Sequence, residues 1–114
     1  MAVSQIGVNT GYRDSDTAFL KPKIDTLNPR AAENLVKVIN QFDDYPNITL
    51  DLSDVKVVTN IAARMLCKAL YGRTWINVEN TNEAVFSSLD WAADYLYRKG
   101  ELDSIPWQIS EMVY

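Results

Sequence analysis

The sequence predicts a single α/β domain over residues 1–114, with a mixed, mainly parallel sheet and helices mostly on one face. Strand-like and helix-like segments alternate in the order strands, helix, strand, helix, strand, helix and tail. Such alternation favours parallel strands joined by right-handed helical crossovers. The length of 114 residues and the hydrophobic fraction of 47% suit one domain with its own core, because a chain of this size buries roughly two thirds of its unfolded surface.

The composition narrows the classes of partner. The net charge of −4 argues against a nucleic-acid partner, since binding a phosphate backbone needs clustered lysine and arginine. No apolar run approaches the length that crosses a membrane, and no basic and apolar leader follows Met1. The single cysteine, Cys67, has no internal partner for a disulfide, which fits a reducing compartment. We expect a cytoplasmic protein that binds neither membranes nor nucleic acids.

The N-terminal region, residues 1–18, is expected to contribute a strand and a loop. Residues 2–8 alternate loosely and predict an edge strand, and the Asn-Thr-Gly run at 9–11 predicts a turn. Residues 17–24 predict a second strand that pairs with the first as a hairpin. Since proline donates no hydrogen bond to a ladder, this second strand should lie at an edge or end near Pro22.

Helix one has a clear start signal. Asn28 is a favourable N-cap, and Pro29 suits the first helical position. The run Asp-Asp-Tyr-Pro-Asn at residues 43–47 is expected to end the helix. Apolar residues at helical spacing predict its buried face: Ala32, Leu35, Val38 or Ile39, and Phe42.

The segment 48–70 is the predicted centre of the fold. Residues 48–52 alternate between apolar and polar side chains and predict a buried strand. Thr59 or Asn60 is expected to cap helix two, and Gly72 to end it in a left-handed conformation. The predicted apolar face comprises Ile61, Ala62, Met65, Leu66, Ala69 and Leu70, with Arg64 and Lys68 pointing away.

A further strand and helix complete the alternation. Residues 74–78 predict the strand, and Asn80 with Glu83 has the spacing of a capping box for helix three. Gly100 should end that helix, and the C-terminal tail, residues 101–114, should dock as a strand or a short helix. The predicted core face of helix three comprises Val85, Phe86, Leu89, Ala92 or Ala93, and Leu96.

The motif Leu-Asp-Leu-Ser at residues 50–53, followed by a helix that begins at residues 59–62, resembles the STAS domain. That family includes anti-sigma-factor antagonists and the cytoplasmic ends of sulphate transporters. The strand at 75–80 and the helix after it also lie where a STAS domain has them, so the resemblance covers about residues 19–100. It implies a STAS-like fold and a protein-binding surface around the start of helix two.

The chain departs from the family where helix two begins. Thr-Asn-Ile-Ala at residues 59–62 stands where the family has Asp-Ser-Ser-Gly. The family's phosphorylated serine corresponds to Asn60, which has no hydroxyl to phosphorylate. Thr59 carries a hydroxyl, but it occupies the aspartate position and serves more simply as a helix cap. We expect the phosphorylation switch to be absent, with Thr59 the remaining candidate for modification.

The residue inventory argues against catalysis. The chain has no histidine, which excludes Ser-His-Asp and Cys-His mechanisms and imidazole metal sites. It also lacks the glycine-rich motifs that cradle nucleotides, so we expect no cofactor, no metal and no enzymatic activity. An alternative is a small-ligand or enzymatic site built from Asp51, Asp54 and Thr59, which a polar pocket joining these side chains would support.

Two surfaces are candidates for protein binding. The first combines the start of helix two with the start of helix three: Thr59, Asn60, Ile61, Ala63, Asn80 and Asn82. The second consists of Trp91 and Tyr95 on helix three, four residues apart and off the core stripe, and Tyr97 could belong to the same patch. It has basic residues only at the end of the helix and could support a homodimer. Trp107 and Tyr114 of the tail could either extend this aromatic patch or cover it.

We therefore predict a non-catalytic protein-interaction or regulatory domain. Size, mild acidity and the altered switch motif also permit a small inhibitor encoded by a phage or mobile element, acting on a host defence or transcription protein. A sigma-factor or kinase operon around the gene would favour the regulator, and a viral cassette would favour the inhibitor.

Overall fold

Strands and helices alternate along residues 8–110, the part of the chain that the computed structural model describes. The strands are β1 (Val8–Asp14), β2 (Thr17–Pro22), β3 (Thr26–Leu27), β4 (Asn47–Asp51), β5 (Val57–Val58) and β6 (Ile76–Glu79). The helices are α1 (Pro29–Gln41), α2 (Asn60–Leu70), α3 (Glu83–Arg98) and α4 (Trp107–Ser110). The predicted α/β class with a mixed, mainly parallel sheet is confirmed.

The main sheet has the strand order β1-β2-β4-β6. β1 pairs antiparallel with β2, whereas β2, β4 and β6 are parallel, with Leu50 opposite both Leu20 and Val78. Each helical crossover thus moves one strand further in the same direction. α2 packs against α1 on one side and α3 on the other, so these three helices form one layer over the sheet.

The core lies between this helical layer and the sheet. Leu20, Leu50 and Leu66 are fully buried within it. Thr49 and Asp51, the polar residues of β4, are only 4% and 7% exposed. β4 is a central strand flanked by β2 and β6, and neighbouring strands shield its polar side chains as well as its apolar ones.

The N-terminal hairpin exists, but its turn lies further along the chain than predicted. The predicted turn at 9–11 is wrong, because these residues lie inside β1, where Thr10 pairs with Leu20 and Gly11 with Phe19. The actual turn falls at Ser15 and Asp16, between the two strands. The predicted strand at 2–8 lies outside the described residues except for its last position.

The structure corrects the predicted position of β2 in the sheet and confirms that of its proline. β2 lies inside the sheet between β1 and β4 rather than at an edge. Pro22 is the last residue of β2, so its missing donor falls at the end of the ladder, as predicted. Tyr12 of β1 stacks on Tyr45 in the turn after α1, with ring centroids 5.4 Å apart.

A second, two-stranded ladder joins the starts of α1 and α2. β3 and β5 are parallel, with Leu27 opposite Val58. The ladder continues at both ends, since Lys56 N donates to Asp25 O at 2.8 Å and Thr59 N donates to Leu27 O at 3.1 Å. Two-residue strands carry no readable periodicity, and the sequence did not indicate this ladder.

The helix caps follow the predictions for α1 and α2. Asn28 caps α1 by accepting from Ala31 N at 2.9 Å, and Thr59 caps α2. Gly72 follows α2 with a φ of 80°, a left-handed conformation in which glycine carries no Cβ penalty.

The predicted cap of α3 is wrong by two residues. Asn82, not Asn80, is the N-cap, and its Oδ1 accepts from Val85 N at 2.7 Å. The tail docks as the short helix α4, one of the two predicted forms. Its Gln108 is 3% exposed and donates from Nε2 to Leu70 O at 3.2 Å and Arg73 O at 2.7 Å.

Candidate functional site

The start of α2 presents an exposed asparagine and an exposed isoleucine beside a structurally engaged threonine. The Thr59 hydroxyl accepts from Ala62 N at 3.4 Å and lies 3.5 Å from Leu27 O, to which it can donate. Asn60, at the position of the family's phosphoserine, is exposed. The only hydroxyl of this tetrapeptide therefore serves the helix cap and the β3–β5 ladder.

The buried face of α2 is rotated relative to the predicted one. It comprises Ala62, Ala63, Leu66, Cys67 and Leu70. Ile61 was predicted to be core and is 52% exposed, whereas Ala63 was predicted to bind a partner and is fully buried. Alanine at positions 62 and 63 lets the neighbouring elements approach α2 closely, so the small residues face the core. Ile61 stays in the candidate surface, and Ala63 does not.

The two asparagines at the start of α3 are used within the fold. Asn80 adopts a φ of 62°, which asparagine tolerates better than most residues, and its Nδ2 donates to Asp51 Oδ1 at 3.2 Å. Asn82 caps α3, and its Nδ2 donates to Lys56 O at 3.2 Å. These hydrogen bonds tie the loops after β4 and β6 together. Both asparagines are exposed, so their part in partner binding stays a prediction.

The predicted aromatic pair on α3 is present and partly exposed. Trp91 stacks on Tyr95 with ring centroids 5.3 Å apart and an interplanar angle of 17°. Trp91 is 44% exposed, and Tyr95 is half-buried. Trp107 is 37% exposed at the start of α4, and Tyr114 lies outside the described residues.

Arg64 joins the two candidate surfaces, although it was predicted to point away from the fold. Its Cζ lies 5.3 Å from the centroid of the Tyr95 ring, and Lys99 Nζ lies 5.6 Å from the same centroid. Cations over aromatic faces are attracted by the ring quadrupole. The expectation that basic residues lie only at the end of the aromatic patch is therefore wrong. The signal that could have found Arg64 is its place one turn after Ile61.

A small pocket between α2 and α3 completes this surface. Its volume is about 170 Å³, and it is lined by Ile61, Arg64, Met65, Lys68, Leu96 and Glu101. Lys68 Nζ lies 2.8 Å from Glu101 Oε1. The hydrogen bond and charge of Lys68 lower the pKa of Glu101, and Lys99 and Arg64 act in the same direction. We call Ile61, Arg64, Trp91, Tyr95 and this pocket the α2–α3 surface.

A larger groove lies on the other side of α2, against α1. Its volume is about 480 Å³, and its lining mixes apolar and charged side chains: Glu33, Val36, Lys37, Asn40, Met65, Lys68, Ala69, Tyr71 and Arg73. Arg73 is already engaged there, with Nη2 at 2.7 Å from Asn40 Oδ1 and Nε at 3.6 Å from Asp43 Oδ1. This groove was not predicted, because its walls come from two separate helices.

The three residues of the alternative small-ligand site have different local roles. Asp51 Oδ1 accepts from Ser53 N at 2.9 Å and from Asn80 Nδ2. Burial acts to raise the pKa of Asp51, but these hydrogen bonds outweigh it and the pKa lies below its ordinary value. Asp54 instead pairs with Lys23 at 3.5 Å, in a polar cleft of about 530 Å³ that includes neither Asp51 nor Thr59.

The thiol of Cys67, possible metal ligands and the length of the helices bear on further functions of the chain. Cys67 is fully buried, and burial raises the pKa of its thiol to about 12, so it packs as a small apolar residue. Within residues 8–110, no group of three or more histidine, cysteine or acidic side chains could hold a metal ion. None of the described helices combines the length and apolar character needed to cross a membrane.

β2, β4 and β6 run in one direction with the helices layered on one face, which makes an α/β fold with a mostly parallel sheet. A comparison with solved structures finds similarity to SLC26A9, which has a STAS domain, with a TM-score of 0.58 and 11% sequence identity. The match covers 92% of this chain and 23% of that chain. At this identity the likeness establishes the fold alone. No family model matches the sequence, and no curated protein matches it either.

Proposed function

We propose that this STAS-like domain is a non-catalytic protein-binding module that uses the α2–α3 surface. The observation that carries the proposal is the stack of Trp91 on Tyr95, which remains 44% exposed at Trp91 while Arg64 covers the Tyr95 ring. Large aromatic side chains beside an arginine are typical of the residues that dominate binding at protein interfaces. Ile61 extends the apolar area onto the start of α2.

The proposal includes constitutive binding without a phosphorylation switch. Asn60 offers no hydroxyl, and the Thr59 hydroxyl is held at the cap by Ala62 N. The proposed site of action is the cytoplasm, in keeping with a single, buried cysteine.

The test is an affinity capture from the native host, using wild type and two aromatic variants. Trp91→Ala removes the exposed ring of the surface, and Tyr97→Ala removes a ring on the same helix that is 49% exposed. The captured protein is identified by mass spectrometry, purified and measured again by titration. We expect binding to wild type and Tyr97→Ala and a loss of at least about tenfold with Trp91→Ala. Equal binding by all three would contradict the proposal.

Self-association through the same aromatic residues is the competing use of this surface. A homodimer would bury Trp91 against a second copy, and its dissociation constant would depend on the same side chains. Sedimentation velocity over a hundredfold concentration range separates the two cases. We expect a monomer for wild type, and a dimer that Trp91→Ala dissociates would reassign the surface to self-association.

A further inference from the structure

We propose that the α2–α3 surface binds a partner segment in which an acidic residue lies next to an apolar one, with the carboxylate on Arg64 and the apolar side chain in the pocket beside Ile61. This inference rests on the proposed function, since it assumes that the surface binds a protein. It adds the chemistry of the segment that is bound.

Local charge favours an acidic partner. The chain has a net charge of −4, yet the α2–α3 surface gathers three cationic side chains, Arg64, Lys68 and Lys99, around the carboxylate of Glu101. Lys68 already holds that carboxylate at 2.8 Å. The neighbouring carboxylate of Asp94 is paired with Arg98 at 2.9 Å. Arg64 and Lys99 contact the Tyr95 ring and form no ion pair within residues 8–110. The surface therefore retains positive charge that a partner carboxylate would neutralise.

The chemistry of Arg64 suits a carboxylate. Its side chain is partly exposed, and its Cζ lies 5.3 Å from the centroid of the Tyr95 ring. A guanidinium presents donors in a planar fork that matches a carboxylate. Because Nε is buried without a hydrogen-bond partner among the described residues, we expect a bound carboxylate on the outer nitrogens of this fork.

The pocket suits one apolar side chain in size and lining. Its volume of about 170 Å³ lies between the apolar side chains of Ile61, Met65 and Leu96. A cavity of about 150 Å³ is large enough for a benzene molecule, so one leucine or phenylalanine side chain would fit. Ile61 at 52% and Trp91 at 44% exposure place further apolar area around Arg64.

These features select an acidic and apolar segment over the alternatives. A basic segment would meet Arg64 and Lys99, and a purely apolar one would cover the Arg64 guanidinium without an acceptor. The α1–α2 groove is a weaker site for the same segment, because Arg73 there already contacts Asn40 and Asp43.

The test is a selection of random 16-residue peptides displayed on phage and panned on the full chain. Binders are counter-selected on Ile61→Glu, whose exposed position should tolerate the charge and whose folding is checked by circular dichroism. Selected peptides are then synthesised, and their dissociation constants are measured by fluorescence anisotropy. The matched variants are Arg64→Gln on the surface and Arg30→Gln, an exposed arginine on α1.

We expect peptides that depend on Ile61 to carry aspartate or glutamate close to leucine, isoleucine, methionine or phenylalanine. Arg64→Gln should weaken them about tenfold, and Arg30→Gln less than about twofold. Replacing the peptide's acidic residue by its amide should weaken binding to wild type and leave binding to Arg64→Gln almost unchanged.

Four other results would overturn the inference, and they separate it from the proposed function. Neutral or basic peptides that depend on Ile61 would refute the acidic chemistry and leave the binding surface intact. Peptides that bind equally to wild type and Ile61→Glu would remove both proposals. A selection without binders, or a dimer of the chain that buries Arg64, would also refute the inference.

Discussion

Leu66 and Ile61 provide a sharp test of the packing of α2, because both were predicted on its apolar face and the structure separates them. Leu66 is fully buried, and Ile61 is 52% exposed. Leu66→Ala removes three buried carbon groups, a transfer loss of about 2.4 kcal/mol at ~0.8 kcal/mol each. A residual cavity of about 50 Å³ would add about 1.2 kcal/mol. Since α2 is held between α1 and α3, collapse into the cavity is limited, and we expect a total of about 2.5–4 kcal/mol.

The assay is urea unfolding followed by tryptophan fluorescence and by circular dichroism, with the slope of the transition compared between variants. Ile61→Ala is the matched control and should change the free energy of unfolding by less than about 0.5 kcal/mol. Both variants should keep the wild-type slope, so that a shift of the midpoint reports stability alone. Costs for Leu66→Ala and Ile61→Ala that agree within about 1 kcal/mol would refute the assignment of the α2 face.

Three further predictions concern the loops and the thiol. The pKa of Asp51 is lower in the folded protein than in the unfolded chain, where it is about 3.9. The charged carboxylate therefore stabilises the fold above that pH, and this contribution is lost as the pH falls through the lower folded pKa. The difference in stability between wild type and Asp51→Asn, measured by thermal unfolding, should shrink below about pH 4. Thr59→Ala should cost about 1 kcal/mol in urea unfolding through loss of the cap, and phosphate found on Thr59 by mass spectrometry in the native host would contradict the absence of a switch. Cys67, with a pKa of about 12, should react with a thiol reagent at pH 8 only as fast as the core opens, and rapid labelling of the native protein would show that it is accessible.

The parts of the fold that the sequence predicted well are those set by local chemistry. Asn28 and Pro29 start α1, and Thr59 starts α2, because side-chain oxygens next to a helix satisfy its first amides wherever the chain goes afterwards. Gly72 ends α2 for an equally local reason. The STAS-like arrangement was implied by the resemblance of residues 50–53 and the following helix to that family, and the structural similarity to SLC26A9 supports it at the level of the fold.

The errors occur where distant residues decide the outcome. Asparagine is a favourable capping residue, but the amide of Asn80 donates a hydrogen bond to Asp51, 29 residues earlier in the chain. Asn82 caps α3 instead. Gly11 reads as a turn residue, yet pairing with Phe19 keeps it inside β1.

Three residues of the candidate site were predicted from the sequence, but the contact that joins them was not. Ile61, Trp91 and Tyr95 were named on two separate surfaces, with Ile61 also assigned to the core. Arg64, which joins those surfaces, was predicted to face solvent. A charged residue on a helix gives no sequence signal for an aromatic ring on another helix, so the contact between Arg64 and Tyr95 emerges only in three dimensions.

The hydrogen bonds of Gln108 make the turn after α2 depend on the C-terminal helix. Its amide reaches back 38 and 35 residues to the carbonyls of Leu70 and Arg73, where α2 gives way to the approach to β6. A chain cut before residue 108 would leave both carbonyls without this donor. We therefore expect the turn after α2 to open more readily in such a chain and to be cleaved faster by proteases, although it lies more than 30 residues from the cut.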